Sequence, residues 1–306
     1  FRMGTRGLEG VSTPMVGRQA ELDQLLTALQ TARQQQVSQV ITILGEARLG
    51  KSRLQTEFET RLEQQAQPLQ VFRGRSSPDM ANRPYALLRD IFTSHLQIQE
   101  SDALDIVWNK FEVGIATMLH STSSDAQMQA HMIGALLGFD FRASPHLKSL
   151  LDDARQLRDR SLIYLTTFFK AAAQASPLLI VLDDIHWADD SSLDALAYLF
   201  RALTSQSILF ICLARPVLLE RRPNWCRSAE QTLLKLQPLS PTDGQQLVKE
   251  ILQHATELPP SLYELILRSA EGNPYYIEEL VKMLIDEGAI IPHQAHWQVA
   301  SEHLQT

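Results

Sequence analysis

Two kinds of hydrophobic pattern alternate along most of the chain. Short, continuous apolar runs rich in β-branched residues predict strands that are buried on both faces. These runs lie at 40–44, 178–182 and 208–213, and the segments at 69–72 and 232–236 are two further short strand candidates. Between them, apolar residues three and four positions apart predict amphipathic helices. Strands that alternate with helices favour an α/β fold with a central five-stranded parallel sheet covered by helices.

The helical patterns also suggest how the chain is divided. One helix begins near Leu22 and runs to 34–36, and another covers about 158–173. A segment at about 84–151 has helical patches and serine-rich breaks, which we interpret as a helical insertion between two strands. After about residue 242 the strand signals stop, and three helical patterns predict a small helical domain. Asn273-Pro274 suits the cap and first position of the last helix, and Gly288 suits its end.

Gly45 to Ser52 fits the pattern G-x-x-x-x-G-K-[ST] and follows the first predicted strand directly. A helical pattern follows in turn, and this strand–loop–helix context is typical of a phosphate-binding loop. The glycines let several backbone N–H groups converge on one anion, and the helix N-terminus adds partial positive charge. We expect Lys51 to neutralise the β and γ phosphates and the Ser52 hydroxyl to bind Mg²⁺. The alternative is an ordinary glycine turn.

An acidic pair, Asp183-Asp184, comes at the end of the buried run at 178–182. Ligands of open parallel sheets bind beyond the carboxyl ends of the strands, where the phosphate loop is also predicted. We therefore expect Asp183 to hold the Mg²⁺ shell together with Ser52, and Asp184 to orient or polarise the attacking water. The alternative is that both acids end the strand in a solvated turn.

Three further residues near strand ends have weaker signals. Arg215 follows the run at 208–213, so it is a candidate to sense or neutralise the γ phosphate. The alternative for Arg215 is a surface salt-bridge partner. His186 and Trp187 are expected to be a structural histidine beside a packed tryptophan, since no metal-ligand pattern surrounds them.

Composition excludes several classes of protein. The chain has 306 residues, of which 44% are hydrophobic and 21% charged, as in ordinary globular proteins. A net charge of −7 gives no reason to expect general affinity for nucleic acid or anionic membranes. No apolar run approaches the ~18 residues that a membrane span requires.

Cys212 and Cys226 form neither a disulfide framework nor a metal motif, which favours a reducing cytoplasm. Phe1-Arg2-Met3 is neither an initiator start nor a signal peptide, and indicates a piece of a longer chain.

Five motifs occur in a characteristic order: Val16-Gly17-Arg18 with Glu21-Leu22, Gly45 to Ser52, Leu182 to Asp189, Ala214-Arg215-Pro216, and Glu271 to Leu280. The chain resembles the STAND-type AAA-like P-loop ATPase modules of bacterial signalling proteins. Such modules are found attached to class III nucleotide cyclases and in regulators of the maltose-activator kind. The resemblance covers about residues 14–300.

The resemblance implies domains and roles. The expected domains are a linker at 1–13, a P-loop NTPase domain at 14–238, a helical lid domain at 239–288 and the beginning of a winged-helix domain at 289–306. Lys51, Asp184 and Arg215 would be catalytic, with Arg215 as the first sensor, and Ser52 and Asp183 would hold Mg²⁺. ATP or ADP would be bound by Val16, Gly17, Arg18, Gly45, Glu46, Ala47, Arg48, Leu49, Gly50, Lys51, Ser52, Arg53 and Pro274. Implied partners are other domains of the same chain, such as a cyclase upstream and helical repeats downstream, and nucleotide-dependent self-association.

Arg48 departs from the family pattern, which usually has glycine at this position. If the backbone there needs a positive φ, a side chain costs of order 1 kcal/mol or more. A guanidinium close to the phosphates could add affinity or could block the loop. We therefore expect nucleotide binding, and we expect Arg48→Gly to change ATP turnover at least several-fold. If neither turnover nor affinity changes, Arg48 points to solvent.

Two functions remain open from the sequence. The first is a slow ATPase that acts as a signalling switch, and the second is a scaffold that binds nucleotide without hydrolysing it. A small-molecule kinase is disfavoured because the predicted lid is leucine-rich and acidic. Direct DNA binding is disfavoured because the chain has no basic stripe and no recognisable reading helix.

Overall fold

The strands of the main sheet are the five that the apolar runs predict. The computed structural model describes residues 13–65, 67–148, 153–225, 231–252, 260–292 and 297–299, so the predicted linker lies almost wholly outside the described residues. The strands are β1 (Gln39–Leu44), β2 (Gln70–Arg75), β3 (Leu178–Asp183), β4 (Ile208–Ala214) and β5 (Gln231–Lys235). Their order across the sheet is β2-β3-β4-β1-β5, and the three pairs with a described register are parallel. The predicted α/β fold is confirmed.

Helices fill the intervals between the strands. They are α1 (Gln19–Gln35), α2 (Lys51–Gln65), α3 (Ala86–His95), α4 (Leu104–Leu119), α5 (Ser124–Leu136), α6 (Ala154–Ala175), α7 (Asp190–Ala202), α8 (Val217–Arg221), α9 (Pro241–Ile251), α10 (Pro260–Ala270) and α11 (Pro274–Asp286). Helices α3 to α5 lie between β2 and β3, where the sequence predicts a helical insertion. A hairpin of β6 (Ile290–Pro292) and β7 (Trp297–Val299) follows α11.

The chain forms two compact units. The sheet unit comprises Leu25–Leu44 and Ala66–Leu234, and the loop–lid unit comprises Phe1–Gln24, Gly45–Gln65 and Lys235–Thr306. The predicted domain boundaries at 14–238, 239–288 and 289–306 stay predictions. None of the helices in the described ranges is long and apolar enough to cross a membrane.

The sheet unit is built around strands that are buried on both faces. Every residue of β4 is buried, as are the first five residues of β3. A group of aromatic rings packs beside them, formed by Phe72, Phe92, Phe168 and Phe169. A Cβ at Gly74 would lie 2.5 Å from Cγ1 of Ile91, so glycine is required where α3 crosses β2. The pairing of Arg75 with Asp183 places the end of β2 beside the end of β3.

The loop–lid unit has a core of its own. Apolar side chains of α9, α10 and α11 pack together with Val16 and Leu239. The N-terminus of α11 is capped as predicted, because the Asn273 side chain accepts a hydrogen bond from the Tyr275 N–H. Gly288, with a φ of 74°, follows the C-terminal end of α11. The unit therefore combines the glycine-rich loop with the three lid helices.

Candidate functional site

The glycine-rich loop begins at the residue after β1 and ends where α2 begins, at Lys51. Gly50 has a φ of 92°, a conformation that strongly favours glycine, and it allows the loop to turn into the helix. The first N–H groups of a helix have no carbonyl partner within the helix, so this terminus suits an anion. Glu46 and Ala47 are exposed, Leu49 is buried, and Ser52 is exposed in the first turn of α2.

The Lys51 ammonium is held within the loop. Its Nζ donates to the carbonyl oxygen of Gly45 at 2.7 Å and to that of Glu46 at 2.8 Å. Two backbone carbonyls thus fix a positive charge over the segment that the sequence assigns to phosphate binding. An anionic ligand of this loop would meet both the helix N-terminus and the ammonium.

Arg48 adopts the backbone conformation that the family's glycine would favour. Its φ is 69°, so the backbone has the positive φ at which a side chain carries a conformational cost. The Arg48 Cζ lies 4.3 Å from the ring centroid of Tyr275 and 5.9 Å from that of Tyr276. Both distances are within the range of a cation–π interaction. The guanidinium therefore lies against the first turn of α11.

The Val16-Gly17-Arg18 motif is tied to the same unit. Val16 is buried in the lid core, and Gly17 has a φ of 69°. Arg18 is buried and forms an ion pair with Glu21 at 3.1 Å. Its second terminal nitrogen donates to the carbonyl oxygen of Gln237 at 2.5 Å and to that of Leu49 at 3.4 Å. Arg18 thus bridges the loop and the segment that leads into the lid.

Two more of the predicted nucleotide-binding residues lie beside the loop. The Arg53 guanidinium donates to the carbonyl oxygen of Thr13. Pro274 is the first residue of α11, and its Cγ would lie 3.9 Å from a Cβ built on Gly50. The structure therefore brings the predicted residues of the loop, the N-terminal motif and the lid together in one unit. Their roles toward a nucleotide stay predictions.

The predicted acidic pair lies at the carboxyl edge of the sheet. Asp183 is the last residue of β3, and Asp184 follows in the left-handed conformation, with a φ of 54°. Arg75, at the end of β2, pairs with both acids. Its Nε is 3.8 Å from an Asp183 oxygen, and a terminal nitrogen is 3.3 Å from an Asp184 oxygen. The Asp183 and Asp184 side chains are 23% and 26% exposed, so water or a cation can reach both.

A cavity of about 390 Å³ opens beside this pair and is lined by Arg75, Ser76, Ser77, Pro78, Met80, Asp90, Asp184 and Trp187. Burial raises the pKa of the Asp90 carboxyl, while the N–H and the charge of Arg75 oppose that shift. The Arg75 N–H donates to Asp90 at 2.8 Å. Asp90 therefore holds the backbone of Arg75 while the Arg75 side chain extends to the acidic pair.

The remaining predicted residues are Arg215, which is exposed at a strand end, and His186 with Trp187, whose rings are in contact. Arg215 is exposed and follows β4, whose last residue, Ala214, is paired with Leu44 of β1. The His186 side chain is 1% exposed, with a ring centroid 5.1 Å from the half-buried Trp187 ring. This burial agrees with the structural interpretation of His186. No cluster of three or more histidine, cysteine or acidic residues suited to a metal occurs in the described part of the chain.

Sequence reasoning missed four residues that shape these sites. Arg75 pairs with both acids, Asp90 accepts a hydrogen bond from the Arg75 N–H, and the Tyr275 ring lies against the Arg48 guanidinium. The fourth is Asp189, which is buried and accepts hydrogen bonds from the N–H groups of Tyr85, Ala86 and Ser192 at 2.8 to 3.1 Å. Asp189 therefore joins the N-termini of α3 and α7. A strand end at Arg75 and a capping box-like Asp-x-x-Ser at Asp189 were the available signals.

The parallel sheet, the glycine-rich loop after β1 and the acids that end β3 define the P-loop NTPase class. The chain belongs to the AAA ATPase domain family, whose model matches residues 14–211. The predicted fold and the AAA-like part of the resemblance are thereby confirmed.

Solved structures share this fold, and one curated relative matches part of the chain. The fold is similar to that of a chain of the Drosophila ORC bound to DNA, with a TM-score of 0.56 and 15% identity over 92% of this chain and 59% of that one. It is also similar to the Aeropyrum pernix ORC1 protein in complex with DNA, with a TM-score of 0.55 and 13% identity over 95% of this chain and 64% of that one. The uncharacterized protein R02095 of Rhizobium meliloti (strain 1021) is 26% identical over 130 residues, which is 42% of this chain and 12% of that protein. The chain thus spans less than two thirds of each of these proteins.

Proposed function

We propose that the chain binds ATP or ADP with Mg²⁺ and hydrolyses ATP slowly, as a regulatory module of a larger signalling protein of the STAND type. The observation that carries the proposal is the Lys51 ammonium, held by the Gly45 and Glu46 carbonyls in a loop that ends at a helix N-terminus. Ammonium, backbone amides and helix dipole are the groups that bind phosphates in P-loop proteins.

In this proposal the residues divide the work by their chemistry. Lys51 and the loop N–H groups bind the phosphates, and Val16, Gly17 and Arg18 lie near the adenine. Hydroxyl and carboxylate oxygens are the ligands that Mg²⁺ prefers, so Ser52 and Asp183 fit that cation. When bound, Mg²⁺ would neutralise charge on the phosphate oxygens. Asp184 orients the attacking water, and Arg215 senses the γ phosphate.

One observation favours the second function, a nucleotide-binding scaffold without hydrolysis. Arg75 pairs with Asp184, the carboxylate assigned to the attacking water. The guanidinium thereby occupies an Asp184 oxygen that would otherwise be available to hold that water. Binding without hydrolysis follows from this contact if Arg75 remains in place when nucleotide binds.

The wider assembly is part of the proposal. The match to a relative of which this chain covers only 12% supports a place within a longer protein. Partners would then be other domains of the same chain, with a cyclase upstream and helical repeats downstream, and self-association would depend on nucleotide. The hairpin β6–β7 would begin a winged-helix domain. The proposal includes no direct contact with DNA by this segment.

The test combines retained nucleotide, binding and turnover. Mass spectrometry after gentle purification should detect ADP, and titration should show ATP binding that Lys51→Ala abolishes. Phosphate release should require Mg²⁺ and disappear in Asp184→Asn while binding persists. Asp194→Asn, which removes a surface carboxylate on α7, is the matched control and should keep wild-type turnover. Binding without phosphate release by the wild type would establish the scaffold instead, and no binding at all would overturn both functions.

A further inference from the structure

Arg48 and Tyr275 connect the glycine-rich loop to the lid. The Arg48 guanidinium lies over the Tyr275 ring, 4.3 Å from its centroid, and is also within reach of Tyr276 at 5.9 Å. The Tyr275 N–H is fixed by the Asn273 cap at 3.1 Å, so the ring projects from the start of α11. A helix terminus with a fixed cap is a firm support for an aromatic contact.

The backbone at Arg48 gives a second reason to look for a role. A non-glycine residue with a φ of 69° is disfavoured, and arginine has no side-chain group suited to stabilise that conformation locally. The same loop touches the lid segment elsewhere, since Arg18 bridges the carbonyls of Leu49 and Gln237. The Arg48 contact is different because it reaches α11 itself.

We propose that Arg48 and Tyr275 form a clasp that holds the glycine-rich loop to helix α11 and slows the release of nucleotide. The second part rests on the proposed function, nucleotide binding by this loop. Both are positioning residues: breaking their contact frees the loop and the start of α11 to separate, which opens a route for a ligand bound between the loop amides and Pro274. Position 48, where the family usually has glycine, thereby contacts the lid through the arginine side chain.

The clasp can be tested first without nucleotide. Hydrogen exchange should be measured for the amides of 45–50 and of the first turn of α11. Arg48→Ala and Tyr275→Leu should each raise exchange by about two- to fivefold, the factor expected for an exposed cation–π contact. Tyr275→Phe keeps the aromatic face and should exchange like the wild type. Tyr276→Leu, at the longer distance, is the matched control and should have the smaller effect.

Backbone and side-chain effects are separated by comparing two variants of the same residue. Arg48→Ala removes the clasp and keeps the cost of a positive φ, whereas Arg48→Gly removes both. Both should raise exchange in α11. The double variant Arg48→Ala/Tyr275→Leu should add nothing to the single ones, because either change breaks the contact. Exchange that is unchanged in Arg48→Ala and Tyr275→Leu, or raised only in Arg48→Gly, would overturn the clasp.

The link to nucleotide is tested by the dissociation rate of a fluorescent ADP analogue chased with unlabelled ADP. We expect release about two- to fivefold faster in Arg48→Ala and Tyr275→Leu, and unchanged in Tyr275→Phe. Equal rates in all variants would overturn the effect on release. If the wild type binds no analogue, the proposed function fails together with that effect, while the exchange data still decide on the clasp.

Discussion

Arg75 forms an ion pair with Asp184, with a nitrogen–oxygen distance of 3.3 Å, and the same guanidinium lies 3.8 Å from Asp183. The register of the sheet explains the contact, because Arg75 is paired with Asp183 across β2 and β3. The acidic pair therefore already has a cation beside it. Any divalent cation that binds these acids has to share them with an arginine.

Removing that guanidinium is expected to strengthen Mg²⁺ binding. Arg75→Ala takes a positive charge away from both carboxylates, so the apparent Mg²⁺ affinity in the presence of ATP should rise about two- to fivefold. The effect is small because the Arg75 side chain is 65% exposed. Titration of ATP turnover or binding with Mg²⁺ measures it. The control is Arg73→Ala, which makes the same charge change on the same strand and should shift the Mg²⁺ affinity less. An equal shift of the Mg²⁺ affinity in both variants would contradict a direct role of Arg75.

Asp189 should be a large contributor to stability. Asp189→Ala leaves two buried N–H groups and one partly buried N–H group without the carboxylate that accepts from them, so we expect a loss of about 3 kcal/mol in the free energy of unfolding. Urea denaturation followed by circular dichroism measures this loss. The adjacent Asp190 forms only surface ion pairs with Arg221 and Arg222, and Asp190→Ala should cost less than about 1 kcal/mol. A loss in Asp189→Ala as small as that expected for Asp190→Ala would show that the hydrogen bonds to Asp189 contribute little.

Gly272 and Gly288 form a natural comparison, because both have a φ of 74°. A Cβ at Gly272 would lie 2.5 Å from the carbonyl oxygen of Leu239, whereas one at Gly288 would meet nothing within 4 Å. Gly288→Ala should therefore cost only about 1 kcal/mol from the backbone. Gly272→Ala should cost about 2 to 4 kcal/mol, since a clash with backbone is added. Equal losses in urea denaturation would mean that the lid shifts easily at Gly272.

His95 should make the fold less stable in mild acid. Burial against the Phe72 ring, 4.3 Å away, lowers the pKa of His95 below its ordinary value. The unfolded chain then binds a proton at His95 more readily, so stability is complete above about pH 6.5 and is lost as the pH falls further. His95→Phe keeps the ring contact and removes the titration. The free energy of unfolding should fall less between pH 7 and pH 5 in this variant, and an identical fall would exclude His95 as the cause.

The sequence predicts the parts of this molecule that depend on neighbouring residues. Strand β1, the loop and the start of α2 follow from one continuous stretch, and the Asn273 cap follows from two adjacent residues. Short buried strands are also visible because they are uninterrupted apolar runs. Helix α7 was not identified individually, although Asp189 and its downstream serine offered a capping signal.

Contacts that depend on the arrangement of elements could not be predicted. The Arg75–Asp184 pair requires β2 to lie next to β3, and no local pattern states the order of strands. The same holds for Arg48 and Tyr275, which are distant in sequence. For Arg48 the sequence did indicate a conformational cost, because a side chain stands where the family has glycine. The φ of 69° agrees with this expectation.

The two hydrogen bonds of Lys51 have a thermodynamic consequence. Before any anion can use the ammonium fully, the bonds to Gly45 and Glu46 have to be exchanged for bonds to that anion. Calorimetry should therefore record a smaller heat of association than the number of new contacts suggests, because part of the heat released is consumed in breaking the old ones.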